Sequence, residues 1–301
     1  MSELVLVALA GFFAAMVDGA LGMGFGPTSS SILLSTGISP AAASTTVNLA
    51  KVASGIASGV SHWRLNNIDH RLVLRLAIPG AVGALIGALV LSNVDGDEIR
   101  PLLAILLMIV GIRILFRFSQ ALPASHNAVA DADASRRAPE FNETGVEVAA
   151  VAGGVTNGLV GAWGPVVTPF LLHRGLPPRY AIGSVNTAEV AVAIVSAGTL
   201  LTSLGRGGVE LGIVLAMLVG GVVAAPLAAS VVRYVPARLL GLAVAGLLLL
   251  TQSRELATAY DFPGSRWLVY LSIPLAVLLA ALRPRITRRV RRAMHDRART
   301  D

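Results

Sequence analysis

Hydrophobic positions along this chain fall in long unbroken runs, not in the alternation of a strand. The runs lie at about 4–21, 41–60, 72–91, 101–116, 146–160, 181–204, 209–232, 237–251 and 267–282. A bilayer core asks for roughly 20 apolar residues per crossing helix, so the chain has room for roughly eight or nine spans. Lipid offers backbone amides no partner, which leaves only helices or closed barrels as spanning structures. Continuous runs such as 211–223 and 239–250 lack the alternating pattern of a barrel. The expected fold is therefore all-α, a polytopic transmembrane helix bundle. The first run lacks a charged n-region and leads into a glycine-rich stretch containing Asp18, so it reads as a span and not as a removed leader.

Two stretches, 22–39 and 161–178, are apolar but rich in Gly and Pro. They read as broken helices or re-entrant pieces. They also match each other. Gly26-Pro27 corresponds to Gly164-Pro165, Leu33-Leu34 to Leu171-Leu172, Gly37 to Gly175 and Pro40 to Pro178, at one constant offset. Val47-Asn48, Ala50 and Val52-Ala53 continue the match to Val185-Asn186, Ala188 and Val190-Ala191. With one residue skipped, Gly19 and Gly22 pair with Gly158 and Gly161, and Asp18 pairs with Asn157. The bundle is expected to consist of two pseudo-symmetric repeats with Gly/Pro-broken helices. The first repeat spans 1–118, a polar linker 119–143, the second repeat 144–251, and an additional apolar segment with a basic tail 252–301.

Matching interruptions in two halves are the plan of secondary transporters, whose broken helix ends meet near mid-membrane around a ligand. Glycine permits close backbone approach and proline breaks the helix. A freed helix N-terminus suits an anion. The simpler explanation is helix packing through small residues with no ligand involved. Two equivalent breaks, each followed by an Asn and a charged residue, favour a site. Its expected substrate-binding residues are Gly22, Gly24, Gly26, Pro27, Asn48, Lys51, Gly161, Trp163, Gly164, Pro165 and Asn186.

Charge inside a bilayer is costly, which singles out Asp18, Lys51 and Glu189. Lys51 follows Asn48 by three residues and shares its helix face; Asn186 and Glu189 repeat that spacing. Lys51 and Glu189 are thus mates of opposite charge. They pair across the repeat interface, or Lys51 attracts an anion while Glu189 takes up a proton, or they form a purely structural ion pair. Asp18 and Glu189 are the candidate coupling residues. The hydroxyls of Ser29, Ser30, Ser31, Ser44, Thr45, Thr46, Ser184 and Thr187 lie near the breaks, although most such groups bond to their own helix. His62-Trp63-Arg64 reads as an interface anchor.

Composition narrows the chemistry. The chain has no cysteine, and its five histidines lack metal-ligand spacing, so no metal and no cofactor is expected. The formal charge of +7 comes almost wholly from arginine, Lys51 being the only lysine. The basic tail after the last run reads as a cytoplasmic flank near anionic lipid, not as a nucleic-acid site. Arg64, Arg71, Arg75, Arg113, Arg117, Arg136 and Arg137 argue for the same side, and the acidic loop 95–98 for the other. Nine plain spans cannot satisfy all these flanks: either one broken segment crosses an extra time or the last segment does not cross fully.

Several of these stretches together resemble the sulfite exporter TauE/SafE family of membrane transporters. The resemblance lies in residues 18–28, 37–40, 58–64, Pro79-Gly80 with Gly83 and Gly87, 163–165 and 182–189. It implies a multi-pass transporter of the bacterial plasma membrane for small anions such as sulfite or organosulfonates, with the bilayer and the anion as partners. The family usually has an acidic residue where Lys51 stands and often Asp where Asn157 stands, which bears on proton coupling. An anion channel remains the alternative. An intramembrane enzyme is disfavoured, because His62 and His173 lie at segment ends and no GxSxG is present. Oligomeric state is open, a homodimer being one option.

Overall fold

The computed structural model describes residues 2–21, 23–120, 140–205, 210–231, 237–260 and 271–282. Among them there is no strand. The helices are α1 (Ser2–Leu21), α2 (Phe25–Ser35), α3 (Pro40–Arg64), α4 (His70–Asn93), α5 (Gly96–Ser119), α6 (Val146–Val160), α7 (Gly164–His173), α8 (Pro178–Leu204), α9 (Leu211–Val231), α10 (Ala237–Ala259) and α11 (Leu271–Leu282). Four stretches are long and apolar enough to cross a membrane: α4, α5, α8 and residues Arg238–Ala259 of α10. The protein is an all-helical, multi-pass membrane protein. Helix α3 is as long as these but carries Ser44, Thr45, Thr46, Asn48 and Lys51, all buried. Its polar face points inward, while Ile56, Val60 and Trp63 are exposed to the surroundings.

Local sequence sets several helix ends. Ser39 accepts a hydrogen bond from the Ala42 amide and Pro40 occupies the first turn of α3, both strong start signals. Asp69 caps α4 through the Arg71 and Leu72 amides, and Asp95 caps α5 through Asp97. The linker region 121–139 and the basic tail 283–301 lie outside the described residues.

The contacts fix how the helices run. Asp69 N–H donates to Ser184 Oγ at 3.0 Å, so α4 and α8 start at the same end of the bundle. Asn142 N–H donates to the Arg174 carbonyl at 3.2 Å, and Arg75 pairs with Glu143 and Glu147. Hence α6 begins and α7 finishes at that same end. The α6–α7 pair goes in and turns back. At the opposite end Arg100 donates to the Gly37 and Ile38 carbonyls at 3.4 and 3.3 Å, which puts the end of α2 beside the start of α5. Helix α1 starts there too, with Leu4 against Gly212 in the first turn of α9. The α1–α2 pair therefore enters from the opposite end to α6–α7.

These two hairpins resolve the conflict among the charged flanks. Both broken segments turn back instead of crossing. The loop after α3, the end of α5 and the start of α10 then share one end, which is rich in arginine; Asp95, Asp97 and Glu98 occupy the other. Helix α11 also finishes at the arginine end, since Arg238 donates to both the Phe118 carbonyl at 2.8 Å and the Ala280 carbonyl at 2.6 Å.

Packing relies on small residues, as expected where lipid is as apolar as the helix surfaces. The most extensive pairings are α4 with α6, α1 with α9, α10 with α5 and α3 with α8. A methyl group built on Gly154 would lie 2.0 Å from the Gly80 carbonyl oxygen, and one on Gly220 would lie 1.9 Å from that of Ala8. The α4–α6 and α1–α9 backbones thus touch. Trp163, fully buried, fills the space beside Gly80 and Gly153. Gly154→Ala is expected to force α4 and α6 apart and to cost about 1–3 kcal/mol, read as a lower unfolding midpoint in detergent. Gly198→Ala, where an added methyl meets nothing within 4 Å, is expected to be neutral or stabilising by about 0.5–1 kcal/mol.

Candidate functional site

The two glycine breaks meet at the centre of the bundle. Gly24 (φ 144°) precedes α2, and Gly161 (φ 68°) follows α6. Both conformations favour glycine. A Cβ on Gly26 would lie 1.8 Å from the Gly161 carbonyl oxygen. The chain therefore needs glycine at both breaks for the two halves to touch.

Lys51, 6% exposed, reaches this junction from the middle of α3. Its ammonium donates to the Gly161 carbonyl at 2.6 Å and to Asn157 Oδ1 at 3.2 Å, and it pairs with Glu189 on α8. An ammonium has three N–H groups, and here all three are engaged. The carbonyl of Gly161 is available because the helix ends there. Asp18 closes the other break, where its Oδ1 accepts from the Phe25 amide at 3.2 Å and caps α2. Helix α7 has no side-chain cap at its N-terminus.

A cavity of ≈ 60 Å³ lies between these elements, room for roughly four water-sized groups. Asp18, Lys51 and Glu189 are its charged lining residues, two carboxylates to one ammonium. Gly24, Gly26, Pro27, Gly161, Gly164, Pro165 and Asn186, all expected from sequence, line it as well. Gly22 lies outside the described residues.

Asn48 and Trp163 do not reach the cavity. The Trp163 indole donates to the Val185 carbonyl at 3.1 Å and is sealed in the core. Asn48 Oδ1 accepts from Asn157 Nδ2 at 2.7 Å, and Asn48 Nδ2 donates to the Ser44 carbonyl at 2.9 Å. Four of the eight flagged hydroxyls are likewise spent on backbone carbonyls: Ser30 on Val160, Ser44 on Gly158, Thr45 on Ala41 and Thr187 on Gly183.

Sequence reasoning missed Met23, Phe25, Ser54, Gly55 and Ser58 in the lining. The last three follow Lys51 at helical spacing, so the face through Lys51 carried that signal. It also passed over Ser196, which accepts from Asn157 Nδ2 at 3.1 Å. Nothing in a run of apolar letters distinguishes that serine from one bonded to its own helix.

Broken helices converging on a buried, charged cavity within a multi-pass bundle are the architecture of a membrane transporter. The chain belongs to the sulfite exporter TauE/SafE family, whose model matches residues 7–254. It is also 38% identical over 261 residues to the "Probable membrane transporter protein YtnM" of Bacillus subtilis (strain 168), covering 85% of this chain and 83% of that one. No solved structure matches the chain.

The ion pair dictates a stability pattern. Removing Lys51 alone strands Glu189 and two oxygen acceptors, so Lys51→Met is expected to cost about 3 kcal/mol, the low end of the range for broken buried pairs because Glu189 keeps contact with the cavity. Adding Glu189→Met is expected to recover part of that loss. Thermal unfolding in detergent reads both, and a double variant less stable than Lys51→Met contradicts the account.

Proposed function

We propose that the protein is a proton-coupled secondary carrier of small anions, sulfur-containing oxyanions or organosulfonates, which bind in the cavity between the two breaks. The observation that carries this reading is Lys51, an ammonium held at a helix break beside two carboxylates. With Asp18, Lys51 and Glu189 all charged, the cavity is net negative and repels an anion. One proton on Glu189 removes its claim on Lys51, and the freed ammonium then attracts the substrate. Anion and proton would travel together. The uncapped N-terminus of α7, whose Gly164 and Pro165 line the cavity, adds a partial positive charge there. The cavity's size suits an anion of a few heavy atoms. The sulfur preference draws on the family's name and on no residue contact.

The proposed setting is a bacterial plasma membrane with the arginine end in the cytoplasm, which the positive-inside rule supports. No nucleic acid and no cofactor enters this reading.

The test is uptake of radiolabelled sulfite, sulfate and taurine into proteoliposomes, with and without an inward proton gradient. Wild type is expected to show saturable uptake accelerated by the gradient. Lys51→Ala is expected to lower it roughly 10- to 100-fold, the loss of one charge-assisted hydrogen bond of about 1.5–3 kcal/mol. Glu189→Gln is expected to keep exchange down a concentration gradient while losing acceleration by protons. No uptake of any sulfur anion under any gradient would remove the substrate assignment; equal gradient dependence in Glu189→Gln and wild type would remove the coupling role.

A further inference from the structure

The lining of the cavity extends towards one end of the bundle and stops towards the other. On α3 its lining runs from Lys51 through Ser54 and Gly55 to Ser58, and on α8 from Glu189 to Asn186, so both rows lead towards the arginine end. On the acidic side of Lys51 the way is blocked by a buried set of polar side chains. Asn157 donates to Asn48 at 2.7 Å and to Ser196 at 3.1 Å, and Ser44 donates to the Gly158 carbonyl at 2.8 Å. These bonds tie α3, α6 and α8 together, and Asn48, Asn157 and Ser196 are all 0% exposed.

The same residue pattern recurs, unassembled, towards the arginine end. Ser58 stands to Ser196, and Asn48 to Asn186, at the offset separating Lys51 from Glu189, 138 residues. Asp18 matches Asn157 with one residue skipped. Of this second set only one bond exists, Asn186 Nδ2 to Ser58 Oγ at 3.2 Å, and all three side chains face the cavity. Two equivalent sets, one locked and one loose, are what a two-state element needs if each conformation closes a different end.

We propose that Asn48–Asn157–Ser196 and Asn186–Asp18–Ser58 are alternate latches, and that closing the arginine end brings Asp18 onto Asn186 and Ser58 as the first latch opens. Asn157, Ser196 and Ser58 are then gating residues that need not touch substrate. The chemistry of the second latch fits, since the Asn186 amide and the Ser58 hydroxyl are donors and the Asp18 carboxylate is an acceptor. The titratable groups facing it are Lys51 and Glu189. The inference rests on the carrier reading but not on the substrate's identity.

The test uses the cysteine-free chain carrying Ser54→Cys, labelled by a membrane-impermeant maleimide in right-side-out and inside-out vesicles with no substrate present. The background is expected to label faster from the arginine end. Asn48→Ala or Ser196→Ala is expected to raise labelling from the acidic end roughly three- to tenfold, the population shift from losing one interhelical hydrogen bond in a membrane. Ser58→Ala is expected to shift the ratio the opposite way. Ser196→Ala deletes a single hydroxyl and keeps the test available where Asn48→Ala does not fold. Unchanged sidedness in both Ser196→Ala and Ser58→Ala overturns the latches. Because no substrate is used, failure of sulfur-anion uptake leaves this result standing, and normal uptake with unchanged sidedness sinks the latches alone.

Discussion

The structure depends on one constraint: an ammonium in the interior of a membrane protein must have all its protons taken. Lys51 meets it with a carboxylate, a side-chain amide and a main-chain carbonyl, each from the second half of the chain. The carbonyl exists only because α6 stops at Gly161, and α6 can stop there only because glycine adopts that backbone conformation. The lysine and the break therefore explain each other. Without the break there is no free acceptor; without the lysine a buried carbonyl at a helix end is left unsatisfied, at a cost of about 1–3 kcal/mol.

Bringing the partners within reach is the work of small residues. Helix α6 lies against α4 with backbones touching at Gly154 and Gly80, and α1 lies against α9 through Gly220 and Ala8. Each contact sets the depth of one hairpin, and so the height at which its break sits. Since Gly26 and Gly161 are themselves in contact, an error at either interface is transmitted to the junction. Packing inside the membrane and chemistry at its centre are linked by geometry, even though the glycines of α4 and α9 touch no charged group.

Much of this was legible in the sequence. The helical class followed from run length, and the breaks from Gly and Pro at matching offsets. The charged residues of the cavity followed from the cost of placing them in lipid. What was not legible has physical reasons. Asn48 was expected at the cavity because it shares a face with Lys51, but its amide is used up by Ser44 and Asn157 one turn deeper. Trp163 was expected at the wall because it lies in a break, yet its indole is needed to fill the gap beside Gly80. Both differences come from treating position along the helix as position in space. The path of the broken segments was hidden for a related reason: a turn-back and an extra crossing use the same residues, and only Asn142 against Arg174, and Arg100 against Gly37, separate them.

The opposite charges of Lys51 and Glu189 take on a further meaning once the two halves are compared. They are mates in the sequence match, so in the proposed exchange of the halves' roles their ion pair would map onto itself. Lys51's other two bonds, to Asn157 and Gly161, have no such property. Their counterparts would run from Glu189 towards Asp18 and the first break, and there a carboxylate would face a carboxylate. Two carboxylates in contact cannot both stay charged, so one proton must lie between them. In the proposed exchange the Asn-for-Asp difference between the halves makes one conformation require a proton that the other does not, and that proton, when carried by Glu189, releases Lys51 to the substrate.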